Sequence, residues 1–332
     1  MPNRTLGRSG LRVSPVALGT MNFGSAAGVP ICSPAVASRI VGEFLDAGHT
    51  LIDTADKYNG GEAEEIVGAA IRGRRESVLL ATKAGHPTGA GPNDRGLSRA
   101  HLTRALEASL RRLGTDHVDL YQCHVPDPDT PIEETMATLD GFVRAGKVRY
   151  LGCSNFTAAQ LVEAQWAAQR IGGAPLVSHQ AQYSLVDRTI EAEILPVSGR
   201  HGLGTLTWSP LGAGVLAGRY RRDAPPPPDS RLGRVTASSA RLGRYWALDL
   251  LAERKLRIAD EVSRVAAELG APAAAVAVAW LRDRTGVSSI VVGPRTPDQL
   301  GDYLAGMGLT LPPEAGTALD HVSRPGSAVR GA

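Results

Sequence analysis

The sequence predicts an α/β protein: a (β/α)8 TIM barrel with an N-terminal hairpin and a long loop after the seventh strand. Three observations carry that expectation. Eight short apolar, β-branched runs recur along the chain, they alternate with amphipathic helical stretches, and the chain has 332 residues. Such barrels span about 200 to over 400 residues. The runs are Val16–Gly19, Thr50–Thr54, Val78–Thr82, Val118–Cys123, Val148–Cys153, Leu176–Gln180, Gly204–Trp208 and Ser289–Val292. Their mainly apolar character fits strands buried on both faces, as a parallel sheet requires. Each right-handed crossover lays the next strand beside the last, so eight units in series predict closure.

Taken in order, residues 1–15 carry Gly7-Arg8-Ser9-Gly10 between two short extended pieces, which predicts a hairpin ahead of the barrel. From Ser98 onward, Leu102, Leu106, Leu110 and Leu113 fall on one helical face. Thr130-Pro131-Ile132-Glu133 predicts an N-cap threonine with proline at the first helical position, and Thr157-Ala158-Ala159-Gln160 predicts a capping box. Gly48, Gly114, Gly146 and Gly202 each stand just before a strand, where a left-handed residue stops a helix cheaply. Residues 212–252 interrupt the alternation with four consecutive prolines, Pro225–Pro228, and seven arginines, Arg219, Arg221, Arg222, Arg231, Arg234, Arg241 and Arg244. No linker separates two halves, so residues 1–332 are expected to form a single barrel domain.

Composition narrows the function. The net charge is +3, too small for the dense basic stripe of a nucleic-acid binder. Hydrophobic residues at 43 % and charged residues at 21 % allow a sizeable core. Cys32, Cys123 and Cys153 form no C-x-x-C pair, so no metal site and no disulfide framework is expected. No apolar run reaches the length of a membrane span, and no hydrophobic signal region follows Met1, so the expectation is a cytoplasmic protein with no membrane partner. Nothing in the sequence sets an oligomeric state.

In such a barrel the active site lies at the C-terminal ends of the strands. The first run ends in Gly19-Thr20-Met21-Asn22, the second in Asp53 with Tyr58 five residues on, the third in Lys83 and the fourth in His124. The fifth ends in Ser154-Asn155, the sixth in Gln180, the seventh in Trp208-Ser209, and the eighth in Gly293 followed by Arg295. Each residue alone has a plain reading: Asp53 as an N-cap, Tyr58 and Trp208 as packing, Lys83 as a surface group, His124 as a satisfied core histidine. Four of them at the proper face of one barrel point instead to proton transfer coupled to carbonyl reduction. A free tyrosine has a pKa of about 10, and a nearby ammonium favours its phenolate. Lys83, held protonated by Asp53, would act on Tyr58; His124 would orient the carbonyl, and Tyr58 would protonate its oxygen.

On these residues the chain resembles the aldo-keto reductase superfamily over nearly its whole length. Leu6-Gly7-Arg8-Ser9-Gly10-Leu11-Arg12-Val13-Ser14 resembles the family's N-terminal hairpin. Asp53-Thr54-Ala55-Asp56-Lys57-Tyr58 matches D-T-A-x-x-Y, Ala81-Thr82-Lys83 matches the lysine strand, and Asp119-Leu120-Tyr121-Gln122-Cys123-His124 matches D-L-Y-x-x-H. The segment from Gly146 to Phe156 matches G-K-[VI]-R-x-x-G-x-S-N-F. The resemblance implies Asp53, Tyr58, Lys83 and His124 as catalytic residues. It also implies NADPH/NADP+, with NADH as the alternative, bound without a Rossmann domain, and a small-molecule carbonyl substrate.

The resemblance further implies a set of cofactor residues. Gly19, Thr20, Met21 and Asp53 line the mouth; Ser154, Asn155 and Gln180 hold the carboxamide; Trp208 stacks on the nicotinamide. Ser209, Pro210, Leu211, Gly212, Gly214, Leu216 and Gly218 form a loop over the pyrophosphate, where glycines admit close backbone approach. Gly293, Arg295 and Gln299 belong to the adenosine end, with Arg295 suited to a 2′-phosphate. Tyr303 follows Asp302 where many members carry Glu-Asn and the asparagine meets adenine.

The segment Gly91-Pro92-Asn93-Asp94-Arg95-Gly96-Leu97-Ser98 resembles a bacterial group that includes deoxysugar-nucleotide reductases and relatives of potassium-channel β subunits. Two functions therefore stand: a carbonyl reductase, whose substrate could be a keto-deoxysugar nucleotide, and a nucleotide-binding regulatory subunit with little turnover. A third, a lyase or isomerase using Lys83 as a Schiff-base amine, fits poorly with Tyr58 and Ser154-Asn155 in place. The arginines of 219–244 either meet a substrate diphosphate or form a solvated flap.

Overall fold

Residues 2–26 and 29–325 are described by the structure, a computed structural model. Two short strands, Arg4–Thr5 and Arg12–Val13, pair antiparallel as the expected hairpin. Eight parallel strands follow: β1 (Val16–Gly19), β2 (Leu51–Asp53), β3 (Leu79–Ala84), β4 (Val118–Cys123), β5 (Val148–Ser154), β6 (Leu176–Gln182), β7 (Gly204–Trp208) and β8 (Val287–Val292). They close in sequence order, β8 pairing with β1 through Ile290 opposite Val16 and Val292 opposite Leu18. The barrel is the predicted one, with boundaries displaced by one or two residues. β3 runs past Lys83, so this lysine lies inside a strand rather than at its end.

The chain forms two compact units. The first is drawn from Met1–Ala181, Ala192–Trp208 and Gly286–Gly301. It holds the barrel strands and the helices α1 (Pro34–Asp46), α2 (Glu62–Ala70), α3 (Arg99–Leu113), α4 (Ile132–Arg144), α5 (Ala158–Arg170) and α6 (Ile194–Arg200). Ser98 caps α3 by accepting from the His101 N–H, and Leu102, Leu106, Leu110 and Leu113 are all buried. Thr157 and Gln160 make the expected capping box on α5. Gly48, Gly114, Gly146 and Gly202 all have positive φ.

The expected cap on α4 is different. Pro131, not Thr130, precedes its first turn, and the Thr130 hydroxyl donates to Asp127 Oδ2 at 2.7 Å. Asp127 also accepts from the Leu97 N–H at 2.7 Å and the Asp129 N–H at 3.0 Å. A carboxylate that gathers three donors outcompetes a helix end for the hydroxyl.

The hairpin stoppers the N-terminal end of the barrel. Leu6 and Val13 share one core cluster with Ala17, Leu51, Ala81, Leu120, Val177, Leu206 and Val291, which come from seven of the strands. The Arg8 N–H donates to Gly202 O at 2.8 Å, and Arg4 Nη1 to Val287 O at 2.8 Å.

The second unit is drawn from Gln182–Glu191, Ser209–Thr285 and Asp302–Ala332. The long connection after β7 carries a turn over Gly212–Ala217 and two short helices, α7 (Arg231–Ser238) and α8 (Ala240–Leu250). Ser230 and Ser239 cap them, and Tyr220 and Leu232 are buried anchors. Then come α9 (Glu253–Leu269) and α10 (Ala273–Arg282), with α11 (Pro297–Gly308) after β8 and α12 (Pro313–Ser323) last. Within this unit Trp280 is fully buried, donates to Asp320 Oδ1 at 2.9 Å, and lies against the guanidinium groups of Arg188 and Arg284. Among the described residues no single helix is long and apolar enough to cross a membrane.

Gly7 is the tightest point of the stopper. Its φ is +58°, and a Cβ there would run into backbone of Val177, Gly202 and Gly204. Gly7→Ala should therefore cost about 1–3 kcal/mol, the range of a strained backbone position. The denaturation midpoint in urea should fall with unchanged slope; an unmoved midpoint would show that the hairpin contributes nothing to barrel stability.

Candidate active site

At the C-terminal end of the barrel, β2, β3 and β4 deliver Asp53, Lys83 and His124 to one place, and the turn after β2 brings in Tyr58. The turn is unusual: Asn59, Gly60 and Gly61 all have positive φ. Asn59 Nδ2 donates to Met21 O at 3.2 Å and to Phe23 O at 2.5 Å. These bonds pin the turn that presents Tyr58 to the loop after β1.

Lys83 is 0 % exposed. Its Nζ donates to Asp53 Oδ2 at 2.6 Å, to Thr54 O at 2.8 Å and to the Tyr58 hydroxyl oxygen at 3.3 Å. Burial works against the ammonium charge; Asp53 first, then Tyr58, outweigh it and hold the lysine above its ordinary value. The other carboxylate oxygen, Asp53 Oδ1, accepts from Gln180 Nε2 at 2.9 Å and Gln122 Nε2 at 3.2 Å. Asp53 is thereby satisfied on both oxygens at 1 % exposure.

His124 meets Tyr58 edge-on at 5.7 Å between ring centres and His86 at 4.5 Å. Burial first, then the positive charge of Lys83, pushes its imidazole down to about 2. It is therefore neutral at working pH and has one N–H to donate. Asn155, at φ +63°, donates from Nδ2 to His124 O at 3.0 Å and to Ser154 Oγ at 3.0 Å, so β5 braces β4 here. Behind the site Asp56 is buried, its N–H donates to Lys83 O at 3.0 Å, and burial, with the Glu64 carboxylate, raises its carboxyl to about 7.

The structure thus brings the four sequence-predicted catalytic residues together. Two further residues belong to the constellation. Gln122 is fully buried on Asp53; the alternation Leu120, Gln122, His124 along β4 was its signal. His86 meets His124 edge-on, a contact between two loops that only the fold makes.

The candidate cofactor residues sort by unit. In the first, Gly19 is held to glycine by β8, since a Cβ would meet Val291 at 2.8 Å. The Thr20 N–H and hydroxyl both donate to Asp53 O, and Met21 is exposed at the mouth. Ser154, Asn155, Gln180 and Trp208 end three consecutive strands. Hydroxyl, two carboxamides and an indole on one arc are the donor set that a flat aromatic carboxamide requires, and the Trp208 Nε1 is buried with no protein partner. These residues fit a nicotinamide. Gly293 O accepts from Asn22 Nδ2, and the Gln299 side chain accepts from the Arg295 N–H at 2.9 Å, so Gln299 shapes the loop that carries Arg295.

In the second unit, the loop carrying Ser209, Pro210, Leu211, Gly212, Gly214, Leu216 and Gly218 has positive φ at Ser209, Gly212, Ala213, Gly214 and Gly218. The N–H groups of Gly212, Gly214, Leu216 and Gly218 are engaged in the loop's own turns, and that of Ala213 is on Ser209 Oγ. What such a loop offers a phosphate is close approach of a backbone with few side chains. Tyr303 lies on α11, four residues beyond Gln299. Of the seven arginines, Arg219 pairs with Asp229, Arg222 with Glu253 and Asp260, Arg234 donates to Asp229 O, and Arg231 covers the Trp246 ring.

Comparison with known proteins adds relatives. Residues 15–324 match the model of the aldo/keto reductase family. The chain is 41 % identical over 320 residues to an uncharacterised oxidoreductase, YrpG, of Bacillus subtilis, covering 93 % of this chain and 92 % of the relative. It is 38 % identical over 307 residues to a probable voltage-gated potassium channel subunit beta of rice, covering 90 % and 89 %. A protein of the same description from Arabidopsis thaliana is 37 % identical over 311 residues, covering 92 % and 90 %.

The buried pair makes a stability prediction. Asp53→Leu leaves a buried ammonium without its carboxylate, which costs about 3–5 kcal/mol when one partner of a buried pair is removed. Adding Lys83→Met should restore most of that loss, because two apolar groups of similar shape leave nothing uncompensated. Equal instability of the single and double variants, measured by urea unfolding, would show that the pair is not what destabilises Asp53→Leu.

Proposed function

Because the chain belongs to the aldo/keto reductase family, we propose that this family oxidoreductase uses NADP(H) to reduce an aldehyde or ketone to an alcohol, and in reverse acts on CH–OH donors. The observation that carries the reading is Lys83 Nζ lying between Asp53 Oδ2 and the Tyr58 hydroxyl. A reduced nicotinamide, when bound, supplies the hydride. Ser154, Asn155 and Gln180 would hold its carboxamide and Trp208 would stack on its ring; the loop of Ser209–Gly218 would meet the pyrophosphate, and Arg295 a 2′-phosphate.

The chain's own part is proton transfer. The neutral His124 donates a hydrogen bond that fixes the carbonyl oxygen. Tyr58 gives its hydroxyl proton to that oxygen, and the ammonium of Lys83 stabilises the phenolate left behind. Asp53 keeps Lys83 charged, and Gln122 and Gln180 keep Asp53 in place.

A keto-deoxysugar nucleotide is the narrower substrate that this reading includes, supported by the Gly91–Ser98 segment. The alternative, a nucleotide-binding regulatory subunit with little turnover, is favoured by the description of the rice and Arabidopsis relatives as channel subunits. Turnover separates the two.

Tyr58→Phe should lower the rate of carbonyl-dependent NADPH oxidation by about 10²–10⁴-fold, the worth of a general acid, with NADPH affinity unchanged. A variant retaining half the wild-type kcat would remove Tyr58 from the acid's role. Turnover too slow to measure in the wild type, with NADPH still bound, would favour the regulatory reading.

Cofactor preference is tested at Arg295. Arg295→Ala should weaken NADPH by about 10- to 100-fold, the worth of a charge-assisted contact, and leave NADH almost unaffected. Equal weakening of both, read by fluorescence titration, would place Arg295 away from the 2′-phosphate.

A further inference from the structure

The four lysines of this chain are not in equivalent settings. Lys83 is paired with Asp53, Lys147 with Glu107 and Lys255 with Asp249. Among the described residues, Lys57 alone has no carboxylate within ion-pair distance. It is exposed, so pairing would not be needed for folding. Its backbone, however, is held in place. The Asp56 N–H donates to Lys83 O on one side, the Tyr58 N–H to Ala55 O on the other, and Asn59 locks the turn beyond. An unpaired ammonium is thus held next to the residue proposed as the acid.

Its charge reaches the reacting groups. After burial, the positive charge of Lys57 acts on His86 and lowers it, and the same charge, with Lys83 and His86, acts on His124. The ammonium groups of Lys83 and Lys57 both bear on His124, and that of Lys57 on His86. The acids close by are already committed or turned away. Asp53 spends both oxygens on Lys83, Gln122 and Gln180; Asp56 is buried beneath; Glu64 is fully buried on Thr82 and Arg112. His86, half-buried and edge-on to His124, adds a hydrogen-bond donor at the rim. An ammonium paired with no carboxylate among the described residues, and an imidazole N–H beside a carbonyl-reducing site, form a recognition pair for an anion.

We infer that this mouth selects carbonyl compounds bearing a carboxylate or a phosphate within a few bonds of the reacting carbonyl, and that Lys57 and His86 read that charge. The inference rests on the reductase reading of the same site and narrows its substrate class. Lys57 acts on binding, not on proton transfer, so its loss belongs in KM rather than kcat.

The test pairs charged and neutral carbonyls of like size: 4-oxobutanoate against its methyl ester, and glyceraldehyde 3-phosphate against glyceraldehyde. The wild type should show a kcat/KM about 10- to 100-fold higher for at least one anion than for its neutral partner. Lys57→Gln should remove that advantage through KM, keep kcat and the rate on the neutral partner, and melt at the wild-type temperature. Lys57→Arg should retain the advantage. The carboxylate and phosphate arms show which anion is read. Equal kcat/KM for both charged and neutral partners, or an equal loss on both in Lys57→Gln, overturns the inference while leaving the reductase reading intact. Should the wild type reduce none of the four, the reductase reading stands or falls on other carbonyls and the anion site is read by binding. Calorimetric binding of 4-oxobutanoate and glyceraldehyde 3-phosphate to the NADP+-loaded protein then decides. Tenfold weaker binding of either to Lys57→Gln supports the anion site, and affinities unchanged by the substitution overturn it.

Discussion

Lys83 carries a positive charge with no exposure to water, and a charge taken out of water must be met from inside the protein or be given up. It is met three ways: by the Asp53 carboxylate, by the Thr54 carbonyl and by the Tyr58 hydroxyl. The first requirement then propagates. Asp53, buried as well, needs donors for its second oxygen, and β4 and β6 supply Gln122 and Gln180. One ammonium therefore fixes side chains from β2, β3, β4 and β6. The barrel interior is polar at this end and apolar at the other, where the hairpin's Leu6 and Val13 complete the packing.

The same constraint prepares the chemistry. A lysine kept charged by Asp53 against its burial lowers the cost of a phenolate at Tyr58. Together with burial, it also keeps His124 uncharged, which leaves the imidazole able to donate to a carbonyl without competing for its proton. The three roles proposed for Tyr58, Lys83 and His124 all trace to one buried charge placed between them.

Much of this was legible in the sequence. Apolar runs of the right length, glycines before strands and capping residues at helix starts are local signals, and they gave eight strands in order. The four residues at the strand ends could be chosen because the barrel has only one functional end. What escaped depended on competition or on neighbours distant in sequence. Thr130 looked like a cap because nothing local shows that Asp127 claims its hydroxyl. Gln122 looked like a spacer until the barrel closed and set it on Asp53. The contact of His86 with His124 joins two different loops, so only the closed barrel makes it. The Pro- and Arg-rich stretch after β7 read as irregular because composition hid the capping serines, Ser230 and Ser239, and the buried anchors Tyr220 and Leu232.

The polar cluster also bears on how such a protein changes over time. Asp53 and Lys83 hold each other in the folded barrel, because among the described residues each is the other's ion-pair partner in a dry interior. Tyr58 is joined to them by one hydroxyl at the edge of that interior and is not needed for their neutrality. A descendant released from selection for turnover would keep or lose the ion pair as a unit, since dropping either half alone costs about 3–5 kcal/mol, while its tyrosine would be free to drift. Among sequences of this architecture, the aspartate and lysine are a record of folding, and the tyrosine is the record of the reaction.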